Sequence, residues 1–343
     1  TLTLLIVGAL VLASILASRV SDRFGVPVLI VFLAVGMLAG SDGPGGIEFD
    51  NAKLANLVGM VALSMILFSG GLDTNWRYIR PIVARGIVLS TLGVLITAGL
   101  VGLFAWQVLG FPLLTGLLLG SIVSSTDAAA VFSILRRRDV SLKGNLKPLL
   151  ELESGSNDPV AIFLTVSVTS ALTQPDFNWI SIIPGFAWNM GGGVLFGFLS
   201  GKAAGFMFNR LQLSYEGLYP VLGLSLVLLT FGLTEYLKGN GYLAVYICGI
   251  LLNGTDFRYR RFVLKFHDGV AWLSQIALFV VLGLLVFPSQ LPSVVLTALP
   301  IAIFLMLVAR PVAVAIGLME LGWDLADWWT RRFGQRATDA DDA

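Results

Sequence analysis

The sequence predicts an all-α polytopic membrane protein with about eleven transmembrane helices. The mean hydropathy is +0.86, and charged residues make up only 13% of the 343 residues, against about 25% in a soluble domain. Apolar runs close to the roughly 20 residues that cross a bilayer recur along the whole chain. The surroundings are therefore predicted to be a lipid bilayer. The net charge of +1 gives no reason to expect a nucleic-acid partner.

Short polar breaks divide the chain into eleven candidate spans. The second and ninth are short, and we expect them to be tilted, broken or extended into their flanks. In order, the spans are Leu2–Ala17, Val26–Leu38, Leu54–Leu72, Ile82–Leu109, Leu113–Leu135, Leu149–Leu172, Ile180–Phe208, Gly217–Leu237, Tyr242–Leu252, Val270–Phe287 and Pro292–Ile316.

Basic connections alternate with non-basic ones. Arg19 and Arg23 follow the first span, acids dominate the next connection, and the strongest basic cluster lies in Arg136–Lys147. Because Lys and Arg collect on the cytoplasmic side, the N-terminus is predicted to lie outside and the end of the eleventh span inside. Residues 1–316 then form one transmembrane domain. Residues 317–343 lose the apolar pattern, and we expect a cytoplasmic tail that is amphipathic or disordered.

The composition argues against an enzyme and against a bound cofactor. His267 is the only histidine and is predicted to lie in a basic loop, which leaves little with which to build a catalytic triad. Cys248 is the only cysteine, which rules out an internal disulfide and a zinc site of the usual spacing. The glycines from Gly191 to Gly205 are predicted to form a helix-packing face rather than a phosphate loop.

The fifth span contains a polar run in an apolar helix. It reads Ser121, Ser124, Ser125, Thr126 and Asp127. Serine, threonine and aspartate side chains compete for backbone hydrogen bonds, so the helix is predicted to break here. Such a break is tolerated in a membrane only where the backbone groups that it exposes meet protein or a cavity.

The sixth span places several acids and amides on a helix that should cross the bilayer. Ser154 and Asp158 are four residues apart and share a face, and Glu153 and Asn157 form a second such pair. Pro159 leaves a carbonyl group unmatched one turn earlier. A carboxylate, a hydroxyl and amide or carbonyl oxygens are ligands that suit hard cations.

The two acids Asp127 and Asp158 are predicted to lie at a similar depth. Each is nine residues from the cytoplasmic end of its span, or about 13 Å at 1.5 Å per residue. We therefore expect their carboxyl groups to lie within about 15 Å of each other. An acid at this depth is costly and usually serves ion or proton movement. This interpretation requires an oxygen-lined hollow that leads to Asp158 from the inner side.

A structural alternative is that the buried acids serve only to pack the bundle. Arg310, in the eleventh span, is the expected partner of Glu153 or of Glu151. For Glu153 this structural ion pair is the favoured interpretation. For Asp158 we favour a role in ion binding.

The polar runs of the fifth and sixth spans resemble a known family. Residues 124–127, Ser-Ser-Thr-Asp, and residues 153–159, Glu-Ser-Gly-Ser-Asn-Asp-Pro, are similar to motifs of the cation:proton antiporter-1 family, the NhaP and sodium/proton exchanger group. The connecting segment is most similar to that of the bacterial potassium/proton members. The resemblance implies an antiporter fold with inverted repeats and a broken helix, and a homodimer in the bacterial inner membrane.

The resemblance also implies roles for individual residues. Asp158 would bind the cation and the proton in turn, and Thr126 and Ser154 would add oxygen ligands to the monovalent cation. Asn157 and Asp127 would shape and polarise the site, and Glu153 would pair with Arg310. No resident cofactor is implied, because potassium or sodium and the proton are cargo.

Two features depart from the family pattern. The family often has an acid where this chain has Ser69, in the run Phe68–Gly71. The family also continues past Arg310 with a second broken helix and one more span, so we expect the second repeat of this chain to be incomplete.

The function expected from the sequence is electroneutral exchange of a monovalent cation for a proton. Rocking of a mobile core domain would carry whichever ion Asp158 holds across the membrane. Two alternatives remain at this point: a cation channel or leak, and a non-transporting fragment. The channel is less favoured because the sixth span becomes apolar outward of Asp158. The sequence leaves potassium and sodium equally open, since selectivity depends on cavity geometry.

Overall fold

The computed structural model describes residues 1–127 and 146–319. Within these ranges eleven helical segments follow one another, one for each predicted span. We name them α1 to α11: Leu2–Phe24, Val28–Ala39, Ala52–Asp73, Trp76–Gln107, Leu113–Val123, Leu146–Thr173, Trp179–Arg210, Leu218–Tyr236, Gly241–Asn253, Arg260–Leu284 and Pro288–Met319.

The helix lengths confirm the all-α membrane architecture. Seven of the helices are long and apolar enough to cross a membrane. The helices α2, α5 and α9 are apolar but contain only 12, 11 and 13 residues. Each is about 16–20 Å long, shorter than the roughly 30 Å hydrocarbon core, so none of them spans it alone. The remaining helix, α6, has 28 residues and carries the acids of the sixth span.

The predicted position of His267 in a basic loop is wrong. The helix α10 begins at Arg260, well before the predicted start of the span, and His267 lies in its first half. Only 2% of His267 is exposed, and its ring packs against Phe68 of α3 at 5.2 Å between centroids. The helix can extend through the basic stretch because Arg261 and Lys265 lie on its exposed face, while His267 turns inward.

Glycine residues set the closest helix contacts. The prediction that the glycines of α7 form a packing face is confirmed for all but Gly191, around which a Cβ would meet no described atom. The others lie against α9 or the residues that flank it: Gly192, Gly193, Gly197, Gly201 and Gly205. A Cβ atom at Gly197 would come within 2.7 Å of the Ala244 carbonyl oxygen. The pair α2 and α10 packs in the same way, since a Cβ at Gly36 would lie 2.3 Å from the Val280 oxygen. Close backbone approach of this kind is how helices associate in lipid.

We expect Gly197→Ala to destabilise the protein by about 1–3 kcal/mol, because the new methyl group meets the Ala244 backbone, which cannot move aside alone. The matched control is Gly191→Ala on the same helix, where a Cβ meets no described atom within 4 Å. That control should be neutral or stabilising by up to about 1 kcal/mol, since alanine favours helix. Thermal unfolding in detergent measures both. Equal behaviour of the two variants would contradict the packing assignment.

The largest apolar core joins α3, α8, α9 and α10, with side chains such as Phe68, Val227, Tyr246 and Val263. The helix α11 packs instead against α4, where Phe104 and Phe304 stack at 4.2 Å between centroids.

A polar contact also fixes the start of α11. The Asp42 carboxylate, in the loop after α2, accepts a hydrogen bond of 2.7 Å from the Ser289 backbone nitrogen. Hydrogen bonds from the side chain and backbone of Ser289 lower the pKa of Asp42.

Candidate functional site

The fifth span breaks within its polar run. The helix α5 ends at Val123, and residues 125–127 are not helical. The hydroxyl of Ser121 donates to the Leu117 carbonyl and that of Ser124 to the Ser121 carbonyl, both at 2.8 Å. Both hydroxyls thus bond carbonyl groups of their own helix, as expected for side chains that compete with the backbone ladder. The rest of the predicted span, Ala128–Leu135, and the basic loop up to residue 145 lie outside the described residues.

The chain after the break lies against α6. The Ser125 hydroxyl donates a hydrogen bond to Asp158 Oδ1. One residue on, the Thr126 carbonyl accepts a hydrogen bond of 2.7 Å from the Ser154 hydroxyl. The break therefore delivers hydroxyl and carbonyl oxygens to the face of α6 that carries Ser154 and Asp158.

The Thr126 hydroxyl lies at the centre of a second hydrogen-bond network, apart from the contact between Ser125 and Asp158. Its hydroxyl oxygen accepts hydrogen bonds from Asn157 Nδ2 at 2.7 Å and from Arg310 Nη2 at 3.0 Å, and it donates to Glu153 Oε1 at 3.4 Å. A hydroxyl has one proton to donate and two lone pairs to accept with, so these contacts use its full capacity. This differs from the expectation that the Thr126 side chain is an oxygen ligand beside Asp158. The backbone after the break directs Ser125 there instead.

The ion pair expected between Glu153 and Arg310 is present in the structure. The side chains are 8% and 21% exposed, and Glu153 Oε1 also accepts a hydrogen bond of 3.3 Å from Asn157 Nδ2. Arg310 directly follows the π-helical turn Leu305–Ala309, which interrupts α11. Such turns often mark functional positions. Glu151, the other candidate partner of Arg310, pairs instead with Lys147 at 3.8 Å near the surface.

Asn157 is completely buried, and its two amide atoms differ in their contacts. The nitrogen donates to Thr126 and to Glu153. The oxygen Oδ1 has no hydrogen-bond partner among the described residues. A buried acceptor without a partner costs about 1–3 kcal/mol, so this oxygen is suited to a water molecule or a cation.

Asp127 is the last described residue before residue 128, and its side chain is exposed. The structure thus brings its two predecessors, Ser125 and Thr126, against α6, and leaves the Asp127 carboxylate at the surface of the described chain. The short distance expected between the carboxyl groups of Asp127 and Asp158 therefore stays a prediction.

Asp158 also lines a cavity of about 360 Å³ between α3, α5 and α6. Apart from Asp158, Ser121, Ser125 and Thr165, the wall is mostly apolar, with Ile162 and Val166 on α6. These α6 residues follow Asp158, so this cavity extends towards the predicted outer side. The hollow expected on the inner side would border residues 128–145, outside the described ranges.

The side-chain and packing contacts of two residues in this region were not predicted from the sequence. Ser125 was only one member of the polar run, because the direction of an irregular backbone cannot be deduced from residue spacing. Gly155 was the other. A Cβ there would lie 2.6 Å from the Tyr246 ring, so the glycine lets α6 pack closely on α9. A glycine inside an otherwise continuous helix was the available signal.

The geometry separates two carboxylates that are five residues apart. Glu153 has the Arg310 guanidinium as its counter-ion, whereas Asp158 accepts a hydrogen bond from the Ser125 hydroxyl and lines a cavity. A carboxylate away from bulk water requires a compensating positive charge. At Asp158 a proton or a small cation can supply it, with oxygen atoms close by to complete the coordination.

Comparisons with known proteins agree on the family. The family described as sodium/hydrogen exchanger, transmembrane, matches residues 8–334. The chain is 42% identical over 327 residues to the K(+)/H(+) antiporter NhaP of Alkalimonas amylolytica, covering 95% of this chain and 57% of that protein. It is 43% identical over 321 residues to the K(+)/H(+) antiporter NhaP2 of Shewanella sp. strain ANA-3, covering 92% and 55%. The chain thus spans a little over half the length of these relatives.

The fold is also that of a solved structure. The sodium proton antiporter MjNhaP1 from Methanocaldococcus jannaschii at pH 8 superimposes with a TM-score of 0.78 and 25% sequence identity. The match covers 92% of this chain and 79% of that one. The predicted antiporter fold is therefore confirmed.

Proposed function

This chain belongs to the sodium/hydrogen exchanger family, and we propose that it exchanges a monovalent cation for a proton across the membrane. Its apolar helices and bacterial relatives identify a multi-pass protein of the bacterial inner membrane. One observation carries the proposal: the two carboxylates of α6 differ in their surroundings. Glu153 is neutralised by Arg310. Asp158 accepts a hydrogen bond from the Ser125 hydroxyl and lines a cavity.

The exchange follows from competition at Asp158. The carboxylate binds either a proton or an alkali cation, because each supplies the one positive charge that it needs. The cation takes oxygen ligands from Asp158, from Ser125 and from Ser154, which shares a helix face with Asp158. The buried Asn157 oxygen lies next in sequence and is suited to hold a water molecule of the hydration shell. Thr126 positions the site by joining Asn157 to the ion pair.

One proton for one monovalent cation moves no net charge. The membrane voltage, worth about 2.3 kcal/mol per charge per 100 mV, then neither drives nor opposes the cycle. Alternating access takes place at the broken segment after α5, where the backbone is held to α6 by side-chain hydrogen bonds rather than by a helical ladder. The names of the relatives support potassium as the first cation to test and sodium as the second.

The proposed assembly is a homodimer. This follows from the family resemblance, and the molar mass of the full-length protein in detergent, corrected for bound detergent, tests it. A monodisperse monomer at micromolar concentration would contradict it.

A vesicle assay tests the proposed activity. Full-length protein is reconstituted with a pH-sensitive dye inside, a proton gradient is imposed, and potassium or sodium is added outside. We expect the cation to dissipate the gradient at a saturable rate that is unchanged when the membrane voltage is clamped at zero. Cation flux that follows the voltage and needs no proton gradient would instead indicate a channel. A rate equal to that of protein-free vesicles would indicate a chain that does not transport.

We expect Ser125→Ala to raise the apparent KM for the cation about tenfold, or about 1.4 kcal/mol, because it removes one of the oxygen ligands proposed for the cation beside Asp158. Ser124→Ala is the matched control, since the Ser124 hydroxyl bonds the Ser121 carbonyl and should leave KM unchanged. Ser125→Thr should restore KM. The measurement is the cation dependence of exchange in the vesicles. An unchanged KM in Ser125→Ala would remove this hydroxyl from the site.

A further inference from the structure

A basic groove runs along the outside of α7, away from the Asp158 site. It has a volume of about 310 Å³ and lies where α7 meets the end of α9. The floor is formed by Gly201 and Gly205, which contact Leu251 and Thr255. The remaining lining side chains are Lys202, Phe206, Asn209 and Arg210. The groove thus combines two cations, an amide and a hydroxyl with apolar walls.

The two cations have no acid opposite them in the described part of the chain. The lining of the groove contains no carboxylate. Each cation lies over an aromatic ring one turn earlier on α7, with Lys202 Nζ at 5.6 Å from the Phe198 centroid and the Arg210 guanidinium at 5.9 Å from that of Phe206. An aromatic face attracts a cation but does not neutralise its charge. The residues that line the groove therefore contribute two positive charges and no negative one.

The position of Lys202 along α7 shows where this charge lies relative to the membrane surface. It lies eight residues, or about 12 Å, before the end of α7 at Arg210. The 29 helical residues from Ile182 to Arg210 extend about 43 Å, which exceeds a hydrocarbon core of about 30 Å. For an upright, centred helix, Lys202 starts about 5 Å inside the hydrocarbon boundary, and Arg210 reaches the headgroups. From this depth the Lys202 ammonium group can extend to the headgroup level, close to Arg210.

We propose that this groove binds the phosphate headgroup of an anionic phospholipid of the cytoplasmic leaflet. The phosphate lies between Arg210 and Lys202, whose ammonium group extends towards the headgroups as long basic side chains do. The Asn209 side-chain amide donates a further hydrogen bond, and the glycerol and acyl chains lie along Phe206 and Leu251. The alternation of loop charges puts this end of α7 on the cytoplasmic side, where anionic headgroups attract basic residues.

The position favours a lipid over a dissolved phosphate ion. A phospholipid presents its phosphate at the headgroup level, where the Lys202 ammonium and Arg210 lie, and its acyl chains can cover the apolar wall of the groove, which a dissolved anion cannot do. The exposed face of α7, with Phe206 63% exposed, also offers an apolar surface to an acyl chain.

Lipid binding by native mass spectrometry of the full-length protein tests the proposal. Phosphatidylglycerol and phosphatidylcholine with the same acyl chains are titrated into the detergent-purified protein. We expect the wild type to prefer phosphatidylglycerol, and we expect Lys202→Gln and Arg210→Gln each to weaken its binding about fivefold. Lys202→Arg should keep the preference. Lys238→Gln is the matched control, because it removes an exposed lysine at the opposite end of the membrane.

Three results would overturn the proposal. One is equal binding of the two lipids by the wild type, a measurement that needs no variant and so does not depend on whether a variant folds. Another is an equal loss of phosphatidylglycerol binding in Lys238→Gln and in the double variant Lys202→Gln/Arg210→Gln. The third is displacement of the lipid by millimolar inorganic phosphate, which would indicate a site for a dissolved anion.

Discussion

Asp158→Asn in the full-length protein is expected to abolish cation-dependent proton exchange, with a rate at least 100-fold below wild type, close to that of protein-free vesicles. Asparagine has nearly the same shape and its oxygen can still accept the hydrogen bond from Ser125. It cannot, however, take up a proton or balance the charge of a bound cation. The substitution therefore removes the competition on which the exchange depends while leaving the packing of α6 in place. The readout is the dye signal in reconstituted vesicles with potassium and with sodium.

Two further variants make this result specific. Glu151→Gln removes a carboxylate from the same helix, but Glu151 pairs with Lys147 near the surface and should keep most of the exchange rate. Asp158→Glu keeps the charge and should retain a reduced rate with a changed KM. Thermal unfolding separates lost transport from lost folding. Cation-dependent proton flux that survives in a stably folded Asp158→Asn protein would refute the assignment of Asp158.

Arg310→Met is expected to lower the free energy of unfolding by about 3–5 kcal/mol. The substitution leaves Glu153 as a buried carboxylate without its counter-ion, and it deprives the Thr126 hydroxyl of one donor. The apolar replacement Glu153→Leu together with Arg310→Met should recover much of the loss, because no uncompensated charge remains. Thermal or denaturant unfolding in detergent of the wild type, Arg310→Met, Glu153→Leu and the double variant completes a double-mutant cycle.

An exposed ion pair on α6, the helix that carries Glu153, provides the comparison for the loss of stability. Lys147→Met breaks the pair with Glu151, whose side chains are 63% and 32% exposed, and such pairs contribute at most about 1 kcal/mol. If Arg310→Met destabilised the protein no more than Lys147→Met, the Glu153–Arg310 pair would not have the structural role proposed for it. If the double variant regained its stability but did not transport, the Glu153–Arg310 pair would also have a role in transport, by positioning Asn157 through Thr126.

Much of the architecture was determined by local properties of the sequence. The number and order of the helices follow from the length of each apolar run, since a backbone in lipid must satisfy its hydrogen bonds within its own helix. The break after Val123 follows from a cluster of side chains that compete for those bonds. The pairing of Glu153 with Arg310 was also predictable, because a buried charge requires a partner and Arg310 was the obvious cation in an apolar span.

Contacts between segments that are distant in sequence were decided by the tertiary structure. Which of Ser125 and Thr126 faces Asp158 depends on the path of a backbone without helical periodicity, so residue spacing could not predict it. The burial of His267 depended on how far α10 continues and which face it turns to α3. The closeness of Gly155 to Tyr246 was set by the packing of α6 on α9. The physical reason is the same in each case. Backbone hydrogen bonds are satisfied within one helix and can be predicted from its own sequence, whereas the register and orientation of one helix against another depend on the shapes of both surfaces.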